Sequence, residues 1–264
     1  MVKTFFGSMD HSVSEQLTGQ SSLWHTSVVV LSENGQHLED LANSIGRMVN
    51  PRTPGLKKWK KTKNRRKYLA ALGAALRGSE IIIFAISATE DCIVHNENLL
   101  ISELGLRDLC AEETTPAGKT LIKIGPYTDR RSGADHFFKL SKNRALMILW
   151  IAHFVARAHQ QMEKSLKTQH ADLFSLDWFL YIDKFAGDNV GQANGTQLFQ
   201  TLVQRSIMGA GNIRVAFFND SGTVSSDLLA DNIAGLFNEY KTKPATYPDL
   251  SHILANSHIH WESN

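Results

Sequence analysis

WFLYI (Trp178–Ile182), GTQLFQTLVQRSI (Gly195–Ile207), IRVAFF (Ile213–Phe218) and VSSDLLADNIAGLFNEY (Val224–Tyr240) follow one another in the last third of the chain, and their order decides the fold. The first and third are apolar runs of strand length. The second and fourth repeat their apolar residues at helical spacing. Strand and helix in alternation predict strands joined by helical crossovers, with helices covering a sheet.

Working back toward the N-terminus, KTFFGSM (Lys3–Met9) reads as a strand that ends at Asp10, and WHTSVVVL (Trp24–Leu31) as a second strand, the two forming a hairpin. Leu38, Leu41, Ile45 and Met48 keep a helical repeat that Pro51 and Pro54 stop, and a further helix spans about 64–76. EIIIFAISA (Glu80–Ala88) is apolar throughout, as a strand covered on both faces is. Residues 91–175 read as an insertion, with one strand at Lys119–Ile124 and a long helix from His136 to about Lys167. The fold class expected is α/β: a mixed sheet flanked by helices, one domain over 1–243 with a helical and irregular insertion, and a peripheral extension over 244–264.

Composition excludes several functions. Cys92 and Cys110 are the only cysteines, too few for a disulfide scaffold and without the CxxC spacing of zinc or redox sites. The reading is therefore a reducing, cytoplasmic setting. Ala145–Ala158 is the longest apolar run, and His153 and Arg157 interrupt it, so it reads as a buried helix rather than a membrane span. No GxGxxG, GxxxxGK[ST] or GxSxG occurs, which removes the dinucleotide fingerprint, the P-loop and the serine-hydrolase elbow. His252, His258 and His260 crowd the tail, where a metal site competes with a flexible His-rich end that has no acidic or Cys partner, and His153 in the apolar helix reads as a core histidine rather than a catalyst. Phe5, Phe6 and the tail leave burial against a second copy of the chain open.

The net charge of +2 conceals an asymmetry. Arg52, Lys57, Lys58, Lys60, Lys61, Lys63, Arg65, Arg66 and Lys67 follow one another with no acid between them. A cluster of this kind is the footprint of contact with a phosphate backbone, and Trp59 and Tyr68 are candidates to stack on bases; a solvated surface loop is the competing reading. The partner expected is nucleic acid, RNA or DNA.

Three acids stand where a sheet enzyme collects its ligands: Asp10 after the first strand, Asp183 after WFLYI, and Asp231 in the last helix. Carboxylates delivered from three elements suit Mg²⁺ or Mn²⁺, and such ions serve in-line displacement at phosphorus. Asp227 lies four residues before Asp231 and shares its helical face, so it is a candidate supporting ligand.

Met9-Asp10-His11-Ser12, Tyr181-Ile182-Asp183 and Leu228–Gly235 (LLADNIAG) together resemble domain-of-unknown-function family 3800. His11 stands where that family has Glu, and Val13 where it has Gly; Glu90 and Asp91, after EIIIFAISA, are candidates for the lost acid. The family is similar to ribonuclease-H-like proteins, and the resemblance implies an Asp on the first strand, on a middle strand and on the last helix. It implies a metal-dependent nuclease with Asp10, Asp183 and Asp231 at its site. The alternative is a catalytically degenerate module that binds nucleic acid or protein on the same fold. The kind of family resembled also suggests an accessory role in bacterial antiviral defence.

Overall fold

The computed structural model describes residues 1–14, 22–52, 55–77, 79–128, 133, 135–183, 194–206, 211–218, 225–243 and 259–263. They fall into two compact units, residues 1–90 with 172–183 and 212–264, and residues 91–171 with 184–211. The insertion expected at 91–175 thus coincides with most of the second unit.

The first unit is built on one sheet. Strand β1 (Val2–Val13) pairs antiparallel with β2 (Trp24–Ser32), which pairs antiparallel with β3 (Ile82–Thr89). On its other side β1 pairs parallel with β7 (Ser175–Asp183), and β8 (Gly211–Phe218) lies beyond it. The expected hairpin and the WFLYI strand are both present. Within the tail, Ile259–Ser263 is a strand, β9, that pairs parallel with β3 at the edge of the main sheet, and the rest of 244–264 lies outside the described residues. His260 stacks on Phe84 with centroids 4.8 Å apart, while His252 and His258 lie outside the described residues.

Helices cover one face of this sheet. Helix α1 (Gly35–Val49) starts where the Asn34 side chain accepts the Gln36 N–H, and its buried stripe runs through Leu38, Ala42, Ile45 and Val49. Helix α2 (Arg65–Leu76) is capped in the same way by Asn64 and buries Tyr68, Leu69, Leu72 and Leu76. Helix α7 (Ser225–Thr242) brings Leu229, Ala230, Ile233, Ala234 and Phe237 onto Val28, Val30, Ile83 and Ala85 of the sheet, forming one continuous core. Gly7, in the middle of β1, has no room for a side chain, because a Cβ there would strike the Val30 carbonyl. Phe5 is buried and Phe6 stacks on Phe179 at 5.4 Å, so both are used within the chain.

The second unit holds a separate antiparallel sheet of β4 (Cys110–Thr114), β5 (Thr120–Thr128) and β6 (Asp135–Ser141), with short helices α3 (Glu90–His95) and α4 (Glu97–Glu103) before it. Here the sequence reading needs correction twice. His136–Ser141 is strand, not helix, because HFFKLS alternates exposed and buried residues at period two; the helix α5 begins at Lys142 and runs to Gln169. Helix α6 (Asn194–Ser206), expected as a crossover between strands of one sheet, belongs to this second unit, where it packs on α5. His153 on α5 meets Glu103 at 2.6 Å, as a histidine serving structure does. Among the described residues no helix is long and apolar enough to cross a membrane.

Candidate functional site

Asp10 lies inside β1 rather than at its end, opposite Val28 in the register with β2. Alternation along a strand puts it on the same face as Ser8, whose hydroxyl donates to the Ser226 hydroxyl of α7 at 3.0 Å. Asp10 therefore faces the α7 layer. Met9 pairs with Ile182 in the parallel β1–β7 ladder, and one residue further along both strands stand Asp10 and Asp183. Neighbouring strands run about 4.8 Å apart, so these positions are adjacent on two parallel strands, Asp183 at the carboxyl end of β7 and Asp10 three residues before that of β1. The side chain of Asp183 lies outside the described residues.

The third acid has a structural partner. The carboxylate of Asp231 accepts the backbone N–H of Trp59, the first residue of a 3-10 turn at Trp59–Lys61. Next to it, Asn232 donates to the Lys57 carbonyl at 2.7 Å and accepts the Thr62 hydroxyl at 3.2 Å. One turn on, Gly235 lies against the Trp59 ring so closely that a Cβ would overlap Cδ1 and Cγ of the indole. Asp227, four residues before Asp231, is buried. Among the described residues, no three His, Cys, Asp or Glu side chains assemble as a metal-holding group.

These contacts bear on the loop reading of the basic segment. It is fastened to α7 by Asp231, Asn232 and Gly235, and by an ion pair of 2.6 Å between Arg65 and Glu239. It is therefore no free loop. Lys57, Lys58, Lys60, Lys61, Lys63, Arg66 and Lys67 are exposed along it. Trp59 and Tyr68 are corrected: they are 4% and 0% exposed, edge to face at 5.7 Å, and serve as core rather than as open platforms for bases. Burial, with the charge of Asp231 second, pushes the Tyr68 phenol far above its usual range, so it stays neutral. Arg65 lies over the Trp59 ring at 4.8 Å.

His11 occupies the opposite face of β1 from Asp10 and contributes nothing to that side of the sheet. Its Nδ1 pairs with the Ser27 hydroxyl at 2.9 Å, and its Nε2 with His25 Nδ1 at 3.2 Å. Burial, then the neighbouring ring, holds His11 down at about 3, and burial holds His25 at about 4; both rings are neutral at pH 7. This pair was missed in the sequence because His11 and His25 are fourteen residues apart and meet only through the hairpin register. Glu90, weighed there as a replacement acid, opens α3 and its N–H donates to the Leu23 carbonyl. Comparisons with protein-family models, with characterised proteins and with solved structures find no match for this chain.

Proposed function

We propose that this chain is a metal-dependent nuclease with a ribonuclease-H-like arrangement, akin to family 3800, that hydrolyses nucleic-acid phosphodiesters. The observation that carries the proposal is the parallel register of β1 and β7, which sets the positions of Asp10 and Asp183 side by side. Carboxylate oxygens from neighbouring strands are the donor type that a hard divalent cation takes. Bound Mg²⁺ or Mn²⁺ would lower the pKa of a water nucleophile and stabilise charge on the leaving oxygen. Asp10 and Asp183 hold the ion in this reading. Asp231 adds negative charge on the α7 side and, through Trp59, sets where the lysines of the 3-10 turn stand. Those lysines hold the strand's backbone, and preformed anchoring of their segment lowers the entropy lost on binding.

The test is incubation of labelled RNA and DNA with the purified protein in Mg²⁺, in Mn²⁺ and in chelator. Cleavage that needs the ion and disappears in Asp10→Asn and Asp183→Asn is the expected result. Ion-independent cleavage, or undiminished cleavage by both variants, refutes it.

A second reading, the degenerate binding module, is favoured by one specific observation: the Glu position of the resembled motif is His11, which faces away from Asp10. That reading expects salt-sensitive binding without turnover, lost on charge reversal across Lys57–Lys63 and unaffected by Asp183→Asn.

A further inference from the structure

A cavity of about 210 Å³ opens between the end of β1, the 3-10 turn and the second half of α7. Three cations line it, Lys60, Arg65 and Lys243, against two carboxylates, Asp231 and Glu239. Both carboxylates are engaged: Asp231 with the Trp59 N–H, Glu239 with Arg65. Neither Lys60 nor Lys243 forms an ion pair among the described residues. The Arg65 guanidinium is held in place on two sides, by the Trp59 ring at 4.8 Å and by Glu239 at 2.6 Å. Its bonds to Glu239 all run from Nη1, which leaves Nη2 and Nε as donors.

We propose that this cavity seats a phosphate group, with Arg65 as a fixed fork and Lys60 and Lys243 as flanking ammonium groups. A planar fork whose orientation is already fixed binds a tetrahedral oxyanion through paired hydrogen bonds at little entropic cost. The volume falls short of the roughly 300 Å³ at which whole small-molecule sites begin, so one phosphate fits where a complete nucleotide does not. Ser12 lies two residues beyond Asp10 on the same strand face and lines the cavity, as does Asp231. Assigning the phosphate to a nucleic-acid strand, as a neighbour of the scissile one, rests on the nuclease reading. The phosphate seat itself does not.

The experiment is run in chelator, so that cleavage plays no part in it. Thermal unfolding is followed in inorganic phosphate and in chloride at matched ionic strength. Binding of a labelled single-stranded oligonucleotide is then titrated at several salt concentrations with inorganic phosphate as competitor. The expected result is a higher Tm in phosphate, absent in Lys60→Gln/Lys243→Gln, and displacement of the oligonucleotide by phosphate. The double variant should also flatten the salt dependence of oligonucleotide binding by about one unit of slope per lysine. Arg65→Lys keeps the charge and loses the fork; it should weaken phosphate binding about tenfold while its own Tm in chloride reports whether the fold is intact. Stabilisation by phosphate without displacement of the oligonucleotide would support a seat for free phosphate and overturn the strand assignment. Equal Tm in phosphate and chloride, or equal stabilisation of wild type and double variant, would overturn the seat. Phosphate binding here together with no cleavage in the separate Mg²⁺ and Mn²⁺ assay would sink the nuclease reading alone.

Discussion

Replacing Gly235 with Ala adds one methyl group to α7 at the point where that helix meets the basic segment. In an open helix the change would help, by about 1 kcal/mol, because Ala is the better helix former. Here the new Cβ would overlap Cδ1 and Cγ of the rigid indole of Trp59 and its Cβ, and the residue is 4% exposed and cannot swing into solvent. Overpacking of a tight core costs about 1–3 kcal/mol, and pushing the indole away also strains the bond from the Trp59 N–H to Asp231, a further loss of about 1–3 kcal/mol. The net expectation is destabilisation of about 3 kcal/mol, equivalent to a fall in Tm of about 6–12 °C for a chain of this size. Urea denaturation and thermal melts of Gly235→Ala, Trp59→Ala and the double variant measure it. Because Trp59→Ala removes the obstructing ring, the double variant should be at least as stable as Trp59→Ala alone, the methyl then contributing only its helix propensity. A Gly235→Ala protein as stable as wild type would refute the close packing of α7 on the 3-10 turn. So would a double variant less stable than both singles.

Asp231→Asn keeps an oxygen acceptor for the Trp59 N–H and should fold normally while losing metal-dependent cleavage, whereas Asp231→Ala should cost about 1–3 kcal/mol in denaturant titrations; equal stability of the two variants counts against the capping role. The His11–His25 pair makes stability fall in acid: both rings titrate lower in the folded chain than the usual 6.5, so their contribution is complete above about pH 6.5 and is lost as pH falls toward 4 and 3. At pH 5 protonating the pair in the unfolded chain should cost about 2 kcal/mol per ring, and His11→Gln/His25→Gln should flatten the dependence; an unchanged pH profile of denaturant midpoints speaks against the buried pair. If Asp10 and Asp183 hold Mn²⁺, Mn²⁺ should raise the wild-type Tm and leave that of Asp10→Asn unmoved, while an equal rise in both proteins denies the site.

Strands β2, β3, β7 and β8 and helices α1, α2, α6 and α7 were legible in the sequence because each is a run with one clear period, closed by a strong signal. Asn34 and Asn64 cap helices, and Pro51 follows one. Where the period was ambiguous the reading failed. HFFKLS precedes a strongly apolar helix with no break between, so a six-residue alternation was absorbed into the longer pattern. Ile259–Ser263 is too short and too polar to announce itself, and becomes a strand only because β3 offers it an edge to pair with. The placement of α6 depended on which surface its apolar face found, which local sequence does not encode.

For the site the division is sharper, because local pattern fixes where an acid stands along its own element but not what it faces. Asp10 and Asp183 stand out in the sequence for lying near strand ends, and their adjacency follows from a register held over eight pairs, from Val2 with Ser175 to Met9 with Ile182. A slip of one residue would have turned Asp10 to the other face, put His11 on the α7 side in its stead, and ended the proposal. Asp231 shows the opposite case. Its spacing on α7 suggested a ligand, and its carboxylate proves to hold the turn that carries the lysines. The charge run and the late Asp, unconnected in sequence by 172 positions, are thus one structure, and a substitution at either changes both. For that reason loss of nucleic-acid binding in an Asp231 variant is evidence about the metal site only when Asp231→Asn, which preserves the turn, loses cleavage and keeps binding.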